Sequence, residues 1–309
     1  MIRIQQLERR PRCFRSFTGL TVEEFHQLVV IIKPEWKKGR EKRLKQEDRK
    51  RKKGGGRKQA LATIEDQLLL TLVWARIYPV YLILEFFFGI DESTVCRTIQ
   101  TMTILLRGKF TLPERIPRRK IRTLEELKAL LPPDIGLDEI LGDATEQKIL
   151  RPKDKRKRRR YHSGKKQAFT QKTQIAVNRK GYIIHVADSV GGRMHDYRLF
   201  QNSGLPQLIP QTSTLYLDNG YQGIKKDYPN LQVKIPYKRS RKKQDLTRCE
   251  KIFNKKQRRV RITIENTFAH LKKYQVLNQT FRHDRDRYHT IFSFVANIFN
   301  FRLLSRGLA

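Results

Sequence analysis

Carboxylates are the informative residues of this 309-residue chain, because 67 basic residues stand against only 30 acidic ones. Asp143 lies inside an apolar segment that predicts a strand, where a carboxylate costs stability unless a positive charge compensates it. Asp218 follows Leu-Tyr-Leu at the carboxyl end of another predicted strand, which is where open sheets bind ligands. Glu265 lies in a predicted helix whose other charges are basic. Three isolated carboxylates in positive surroundings are typical of a Mg²⁺ site that acts on phosphodiesters.

The chemistry of such a site follows from the coordination of Mg²⁺. This ion needs few protein carboxylates, because water and substrate phosphate complete its octahedral shell. Two such ions about 4 Å apart can activate an attacking oxygen and stabilise a leaving one. Each carboxylate alone also has a structural interpretation: Asp143 as an ion pair at a strand edge, Asp218 as part of a plain turn, and Glu265 as a salt-bridged helix surface.

The helix around Glu265 favours the functional interpretation. Arg258, Arg261, Glu265 and Lys272 follow one another at steps of three, four and seven residues, which places them on one helix face. A neighbouring apolar face would seat the helix on a core; it consists of Val260, Ile264, Phe268 and Leu271. One acid framed by cations along a ridge predicts a metal ligand flanked by phosphate contacts.

The elements that position these carboxylates form a mixed α/β domain. Apolar runs bounded by turn residues predict strands over 140–149, 170–177, 182–189, 214–217 and 233–235. Helical periodicity predicts helices over 196–201, 255–274 and 288–304. Strands that first pair as an antiparallel hairpin and then alternate with helices predict a mixed sheet with helices on its faces.

The part of the chain before this domain is helical. Thr21 and Thr63 are predicted N-caps, and Gly89 is predicted to end a helix over 81–88. A third helix, capped by Asp91 or Ser93, begins with a polar first turn. A helix, a short turn and a capped helix fit a DNA-binding helix-turn-helix, although an ordinary helical hairpin is the alternative.

Charge supports a nucleic-acid partner. A net charge of +37 would destabilise a compact chain without a polyanion, and 38% hydrophobic residues exclude a disordered basic tail. An anionic membrane surface is the second candidate. The charge is concentrated in three blocks, at 37–58, 151–166 and 234–261. Blocks that flank ordered segments predict a nucleic-acid groove, with the first block as a basic arm or linker.

Other compartments and classes are disfavoured by the composition. The three cysteines, Cys13, Cys96 and Cys249, are scattered and odd in number, which argues against a disulfide framework or a cysteine-rich zinc site. We therefore expect a reducing compartment. The apolar stretch 68–90 contains Arg76, Pro79 and Glu85 and predicts two helices of a buried core rather than a membrane span.

Four local motifs resemble those of a known family. They are Gly-Asp-Ala-Thr-Glu at 142–146, Arg-Pro-Lys-Asp and Tyr-His-Ser-Gly-Lys-Lys within 151–166, Gly-Gly-Arg-Met-His-Asp at 191–196, and Leu-Asp-Asn-Gly-Tyr-Gln-Gly at 217–223. The carboxylates follow in order with gaps of 75 and 47 residues. Together these features resemble the DDE transposases of bacterial insertion sequences, in the group that shares its endonuclease domain with Harbinger-type transposases. The last helix is similar to the family signature Tyr-x2-Arg-x3-Glu-x6-Lys, with Arg258 where tyrosine is usual.

The resemblance implies an RNase H-like mixed sheet flanked by helices, preceded by an all-α helix-turn-helix domain. We expect an N-terminal helix and basic arm over 1–59, a helix-turn-helix region over 60–132 and the catalytic domain over 133–309. Asp143 and Asp218 would lie on adjacent strands, and Glu265 on the helix that crosses them. These three carboxylates would bind Mg²⁺ or Mn²⁺, with two ions expected.

Further residues are expected to act around the triad. Expected DNA contacts are Arg261, Lys272, Arg258, Lys165, Lys166 and Arg97. Residues expected to support the site without binding metal are His195, Asp196 and Thr145. Asp196 competes with Asp218 for the role of second carboxylate, and we favour Asp218 because of its position at a strand end.

The implied activity is transposition. The protein would bind the terminal inverted repeats of its element, cleave DNA in a metal-dependent reaction and join the freed 3′-hydroxyl to target DNA. Expected partners are double-stranded DNA and further copies of the chain in a synaptic complex, without a membrane, in the nucleoid of a bacterial cytoplasm. The alternatives are a catalytically inactive, transposase-derived DNA-binding protein and an RNA-binding basic protein.

Overall fold

A computed structural model describes residues 3–44, 60–107, 125, 129, 131–132, 135–207, 209–239 and 245–308. Most of the first basic block, and residues 240–244 of the third, therefore lie outside the described residues. The chain divides into two compact units. The first contains the helices before residue 110 together with Lys273–Asn278, and the second contains the sheet and its flanking helices. The predicted boundaries at 59 and 132 stay predictions.

Six helices of the first unit are described. Their bounds are α1 (Ile4–Glu8), α2 (Pro11–Thr18), α3 (Val22–Leu44), α4 (Ile64–Ile77), α5 (Tyr81–Phe88) and α6 (Glu92–Arg107). The predicted cap of α3 is present, since Thr21 and Glu24 exchange side-chain to backbone hydrogen bonds of 2.9 and 3.2 Å. Helix α3 is longer than the predicted short helix and contains Pro34.

Helices α4, α5 and α6 follow the predicted pattern of helix, turn and capped helix. Thr63 caps α4 by accepting a hydrogen bond from the Asp66 amide. Gly89 ends α5 in the left-handed conformation, which lets the chain turn at once into α6. Of the two candidate caps for α6, Asp91 is the one used: its carboxylate accepts from the Thr94 amide at 2.9 Å. Local capping chemistry therefore builds the helix-turn-helix.

The second unit is built on one mixed sheet. Its strands are β1 (Glu139–Lys148), β2 (His162–Ser163), β3 (Ala168–Asn178), β4 (Ile183–Val186), β5 (Val190–Gly191), β6 (Thr214–Tyr216) and β7 (Gln232–Lys234). Strand β3 is antiparallel to β1 on one edge and to β4, β5 and β2 on the other. Beyond β1, strands β6 and β7 continue the sheet in parallel. This arrangement confirms the predicted RNase H-like fold class, with Asp143 and Asp218 associated with adjacent strands.

Helices flank this sheet. Their bounds are α7 (Lys155–Tyr161), α8 (Asp196–Asn202), α9 (Ile224–Asp227), α10 (Arg248–Leu271) and α11 (Tyr288–Ser305). A buried apolar core joins β1, β3, β4 and β6 to α8 and α9; among its residues are Ile140, Ala176, Ile184, Phe200, Leu217 and Ile224. Helix α10 contacts both β1 and β6 and so crosses the two strands that bear the aspartates.

Two further differences from the sequence prediction lie in charged parts of the chain. Helix α10 begins at Arg248 rather than 255, because Thr247 and Glu250 form a reciprocal capping box. The second basic block contains α7, which Asp154 caps by accepting from the Lys157 amide at 2.7 Å. Both differences arise from caps inside charged stretches, where apolar periodicity gives no signal. In the described part of the chain, no helix has the combined length and apolar character needed to cross a membrane.

Candidate active site

Asp143 lies on a stretch of β1 that extends past the end of its parallel neighbour. Strand β1 pairs with β6 only over residues 139–141, and with β3 over 140–148. At Asp143, the edge of β1 that faces β6 therefore has no described strand paired with it. A side chain at Gly142 would place its Cβ 2.8 Å from Cδ2 of Leu217, so glycine lets the residue before Asp218 approach β1.

Asp218 follows β6 and begins a tight turn. Its carboxylate accepts a hydrogen bond from the Asn219 amide, and the Tyr221 amide donates to its carbonyl oxygen at 3.2 Å. The side chain is 40% exposed, twice the value for Asp143. The second aspartate therefore lies at the mouth of the site and the first lies deeper.

Arg261 of α10 contacts both aspartates. Its Nη2 lies 3.2 Å from Oδ2 of Asp143 and 3.9 Å from Oδ2 of Asp218. Helix α10 is held in this place at a second point, where the hydroxyl of Thr267 donates to the Gly181 carbonyl in the β3–β4 turn. One guanidinium thus brings together two carboxylates that are far apart in the sequence.

The environment of Asp143 opposes its ionisation. Burial raises the pKa of this carboxyl to about 6, and the charges of Asp218 and Asp196 act in the same direction. Arg261 and the Ala144 amide, which donates at 2.8 Å, lower the pKa but do not cancel the effect of burial. The site therefore holds an anionic group at a cost that a bound cation would relieve.

Replacing Asp143 by asparagine is expected to stabilise the metal-free protein at neutral pH. The pKa of Asp143 rises from 3.8 to about 6 on folding, so ionisation of this carboxyl destabilises the folded protein. The destabilisation is complete above pH 6 and absent below pH 3.8. We expect Asp143→Asn to raise the free energy of unfolding by about 3 kcal/mol at neutral pH and by about 1 kcal/mol near pH 4.5. Urea unfolding with a chelator measures both values. An equal gain at both pH values, or a similar gain in the exposed control Asp245→Asn, would contradict the electrostatic cause.

Several buried polar atoms near the aspartates have no hydrogen-bond partner among the described residues. They are the Tyr221 hydroxyl, Oδ1 of Asn219 and Nε of Arg261. Burial raises the pKa of Tyr221 well above its usual value, and the charges of Asp143, Asp196 and Asp218 raise it further. A neutral phenol and a side-chain amide thus lie close to the carboxylates, and such groups can bind the water shell of a cation.

Glu265 lies one helical turn after Arg261, on the exposed surface of α10. Within the described ranges, no three His, Cys, Asp or Glu side chains are close enough to form a metal site. Lys272, at the end of the same helix, is half-buried. Burial and the charge of Lys166 lower its pKa, whereas the charge of Asp143 raises it. The two lysines and Asp143 therefore interact electrostatically.

Comparison with known proteins decides the family. A family model described as DDE superfamily endonuclease matches residues 142–300, just over half of the chain. The chain belongs to the DDE superfamily of endonucleases. A second model, described as the helix-turn-helix of DDE superfamily endonuclease, matches residues 59–111. A relative from Microchaete diplosiphon, described as "Probable transposase for insertion sequence element IS702", is 30% identical over 294 residues, which cover 94% of this chain and 95% of the relative. No solved structure matches the chain significantly.

The helix-turn-helix of this DDE endonuclease places Arg97 on the exposed surface of α6. Its guanidinium donates to the Ser93 carbonyl and hydroxyl at 3.2 and 2.9 Å, so the charge lies over the first turn of the helix. Val95 and Ile99 are buried on the other side. The polar start of α6 is therefore the exposed end of the helix.

The other residues predicted from the sequence occupy varied positions in the DDE endonuclease. Arg258, Lys165 and Lys166 are exposed, and Thr145 is partly buried opposite Thr173. His195 caps α8 by accepting from the Tyr197 amide at 3.4 Å. The roles predicted for these residues stay predictions.

Sequence reasoning missed Lys172 and Tyr221. Lys172 is a buried cation within a run of buried residues in β3. A lysine inside a predicted strand of the sheet is a signal that could have drawn attention to it, because an ammonium group buried in a sheet needs anionic partners. Tyr221 belongs to a recognised motif, but nothing in its local pattern indicates that its hydroxyl is buried near three carboxylates.

Proposed function

We propose that this DDE endonuclease is an insertion-sequence transposase. It binds the terminal inverted repeats of its element, cleaves DNA strands at the ends and transfers the 3′ ends to target DNA. The observation that carries the proposal is the convergence of Asp143 and Asp218 on Arg261 at the open edge of β1. The similarity to the probable transposase along almost the whole of both chains supports it.

The donor atoms suit Mg²⁺ or Mn²⁺. The carboxylates of Asp143 and Asp218 already share one positive group, the Arg261 guanidinium. The Tyr221 hydroxyl and the Asn219 oxygen have no hydrogen-bond partner among the described residues, and both can bind the water shell of an ion. In the proposal Asp143, Asp218 and Glu265 hold two ions. When bound, these ions supply an activated water or hydroxyl for attack and stabilise the leaving oxygen.

The protein groups around the aspartates bind and orient the DNA. Arg261 fixes the two carboxylates relative to each other and offers charge to a phosphate. Lys272 and Lys166 repel each other beside Asp143, and a phosphate between them would relieve that repulsion. Arg258 and Lys165 are both exposed and would extend this contact along the phosphate backbone of the DNA. Double-stranded DNA is thus the proposed substrate, and copies of the chain would pair the two ends at the bacterial nucleoid.

A cleavage assay tests the proposed function. Duplex DNA carrying the inverted repeat that flanks the gene is mixed with the full-length protein and Mg²⁺. We expect strand cleavage at the repeat terminus that a chelator stops, and no cleavage of a duplex with a scrambled repeat. Specific binding without cleavage under Mg²⁺ or Mn²⁺ would instead support the inactive DNA-binding alternative.

Arg97→Ala is expected to weaken binding of the terminal repeat. The exposed guanidinium at the polar start of α6 is proposed to contact DNA, and loss of a base or phosphate contact costs about 1–3 kcal/mol, roughly 5- to 150-fold in Kd. Gel-shift titrations with repeat and scrambled duplexes measure the change. Arg107→Ala, at the other end of α6, is the control. Unchanged affinity in Arg97→Ala would remove this residue from the interface.

A further inference from the structure

Lys172 is the centre of a buried ion network beside the aspartates. Its side chain is only 7% exposed. Its ammonium group donates to Oδ1 of Asp196 and to the Met194 carbonyl, both at 2.7 Å, and lies 3.3 Å from Oε1 of Glu146. A buried ammonium is tolerated only when anionic or carbonyl oxygens surround it, and here three do.

The network is held in place by the sheet. Lys172 of β3 is directly opposite Glu146 of β1, so their side chains lie on the same face. Oε2 of Glu146 accepts from the Thr170 hydroxyl at 2.7 Å. Burial opposes the ionisation of Glu146, yet hydrogen bonds from Ser163 and Thr170 and the charge of Lys172 hold its pKa below the usual value. Glu146 is thus an anionic anchor for Lys172.

The motif at 191–196 surrounds the same lysine. Strand β5 pairs with β3 at Gln171 and Lys172. A Cβ at Gly192 would lie 1.8 Å from the Thr170 hydroxyl, so only glycine leaves room for Thr170 to reach Glu146. Two residues further along, the Met194 carbonyl accepts from Lys172, and Asp196 completes the contact. Two residues of this motif therefore support Lys172: Gly192 leaves room for the contact between Thr170 and Glu146, and Asp196 bonds to Lys172 directly.

The second oxygen of Asp196, Oδ2, faces the turn that carries Asp218. Oδ2 of Asp196 lies 3.5 Å from the position that a Cβ of Gly220 would occupy, so this oxygen lies beside the open face of that glycine, and α8 packs against the turn of residues 219–221. Side chains alternate between the two faces of a sheet, and residues 143 and 146 of β1 are three positions apart. Glu146 and its partner Lys172 therefore lie on the sheet face opposite to Asp143. The Asp218 turn is therefore flanked by two side chains: Arg261 lies 3.9 Å from the Asp218 carboxylate, and the Asp196 carboxylate lies beside Gly220.

We propose that Lys172 is a positioning residue that, through Asp196, holds the Asp218 turn in its working conformation. With one oxygen bonded to Lys172, Asp196 is a support for the turn rather than a third metal ligand. This inference rests on the proposed function for its effect on cleavage. Its effect on the turn can be measured without any activity.

Hydrogen exchange of the turn is the first test. Full-length Lys172→Met, Asp196→Asn and wild-type protein are compared by mass spectrometry on a peptide that contains residues 219–221. We expect faster exchange at the Asn219 and Tyr221 amides in both variants, since these amides bond within the turn. Lys148→Met, an exposed lysine in β1, is the matched control and should exchange like wild type. Unchanged exchange in Lys172→Met, with the network removed, overturns the proposal.

Single-turnover cleavage is the second test. Misfolding lowers the fraction of active protein, and thus the amplitude, whereas a displaced turn lowers the rate constant. We expect both variants to lose about 10- to 100-fold in rate constant at unchanged amplitude, and the double variant to lose no more than the worse single variant. Severe loss in Asp196→Asn with normal cleavage in Lys172→Met would make Asp196 a ligand and overturn the proposal. If the wild-type protein does not cleave, the proposed function fails, and the exchange result alone decides the role of Lys172.

Discussion

Asp143→Asn and Asp218→Asn are each expected to reduce strand cleavage at the repeat by on the order of 10⁴-fold, the scale seen when one member of a catalytic unit is removed. Asparagine preserves the shape of each side chain, but it removes the negative charge that binds a divalent cation. Binding of the repeat should stay within about twofold in a gel shift, because the proposed recognition helix lies in the other compact unit.

Controls separate chemistry from folding in this experiment. Asp245→Asn removes an exposed carboxylate that lies 3.5 Å from Arg239, and this variant should cleave like wild type. Unfolding curves show whether each variant is folded. Cleavage within tenfold of wild type in either Asp143→Asn or Asp218→Asn would remove that residue from the metal site.

Glu265→Gln decides the third ligand in the same assay. Glu265 is exposed on α10, one turn from the residue that contacts both aspartates, so its side chain is proposed to bind metal when DNA is present. A loss comparable with the aspartate variants supports the proposed triad. Near-normal cleavage would leave Asp143 and Asp218 as the only carboxylate ligands among the three proposed.

Replacing Arg261 by methionine is expected to reduce the cleavage rate constant by about 10²- to 10³-fold, the usual cost of losing an electrostatic contact to the reacting groups. Methionine keeps the apolar stem of the side chain but leaves Asp143 and Asp218 without their shared cation. Because Arg261 lowers the pKa of Asp143, its loss should raise that pKa further above 6. Single-turnover cleavage at several pH values measures both consequences.

Arg259→Met is the matched control for Arg261. Arg259 lies two residues earlier on α10 and is exposed, so the same substitution there should change neither the rate constant nor the pH profile. Arg261→Lys keeps the charge but cannot donate to two groups in the same way, and an intermediate rate is expected. Equal activity of Arg261→Met and Arg259→Met would show that the bridging guanidinium is not needed.

Local signals in the sequence were sufficient for the order of the main helices and strands and for several of their ends. Thr63, Gly89 and Asp91 cap helices where the sequence predicted, because capping depends on residues within one turn. The β3–β4 hairpin follows from strand patterning. The adjacency of β1 and β6 was implied by the resemblance to the family, and the structure shows that the two strands are parallel. The start of α10 was placed too late, since polar residues dominate its first two turns.

The sequence by itself determined the family and the fold class, and it singled out the two aspartates that the structure brings together, because motif order and an acid in an apolar strand are readable without contacts. Only the tertiary structure decided how these residues are held. Arg261 was expected to contact phosphate, yet it bridges Asp143 and Asp218, from which it is separated by 118 and 43 residues. Lys172 meets Glu146 and Asp196 only because β1, β3 and the segment before α8 come together in one register. Such ion pairs depend on sheet register and on the position of a crossing helix, and neither leaves a periodic signal in the chain.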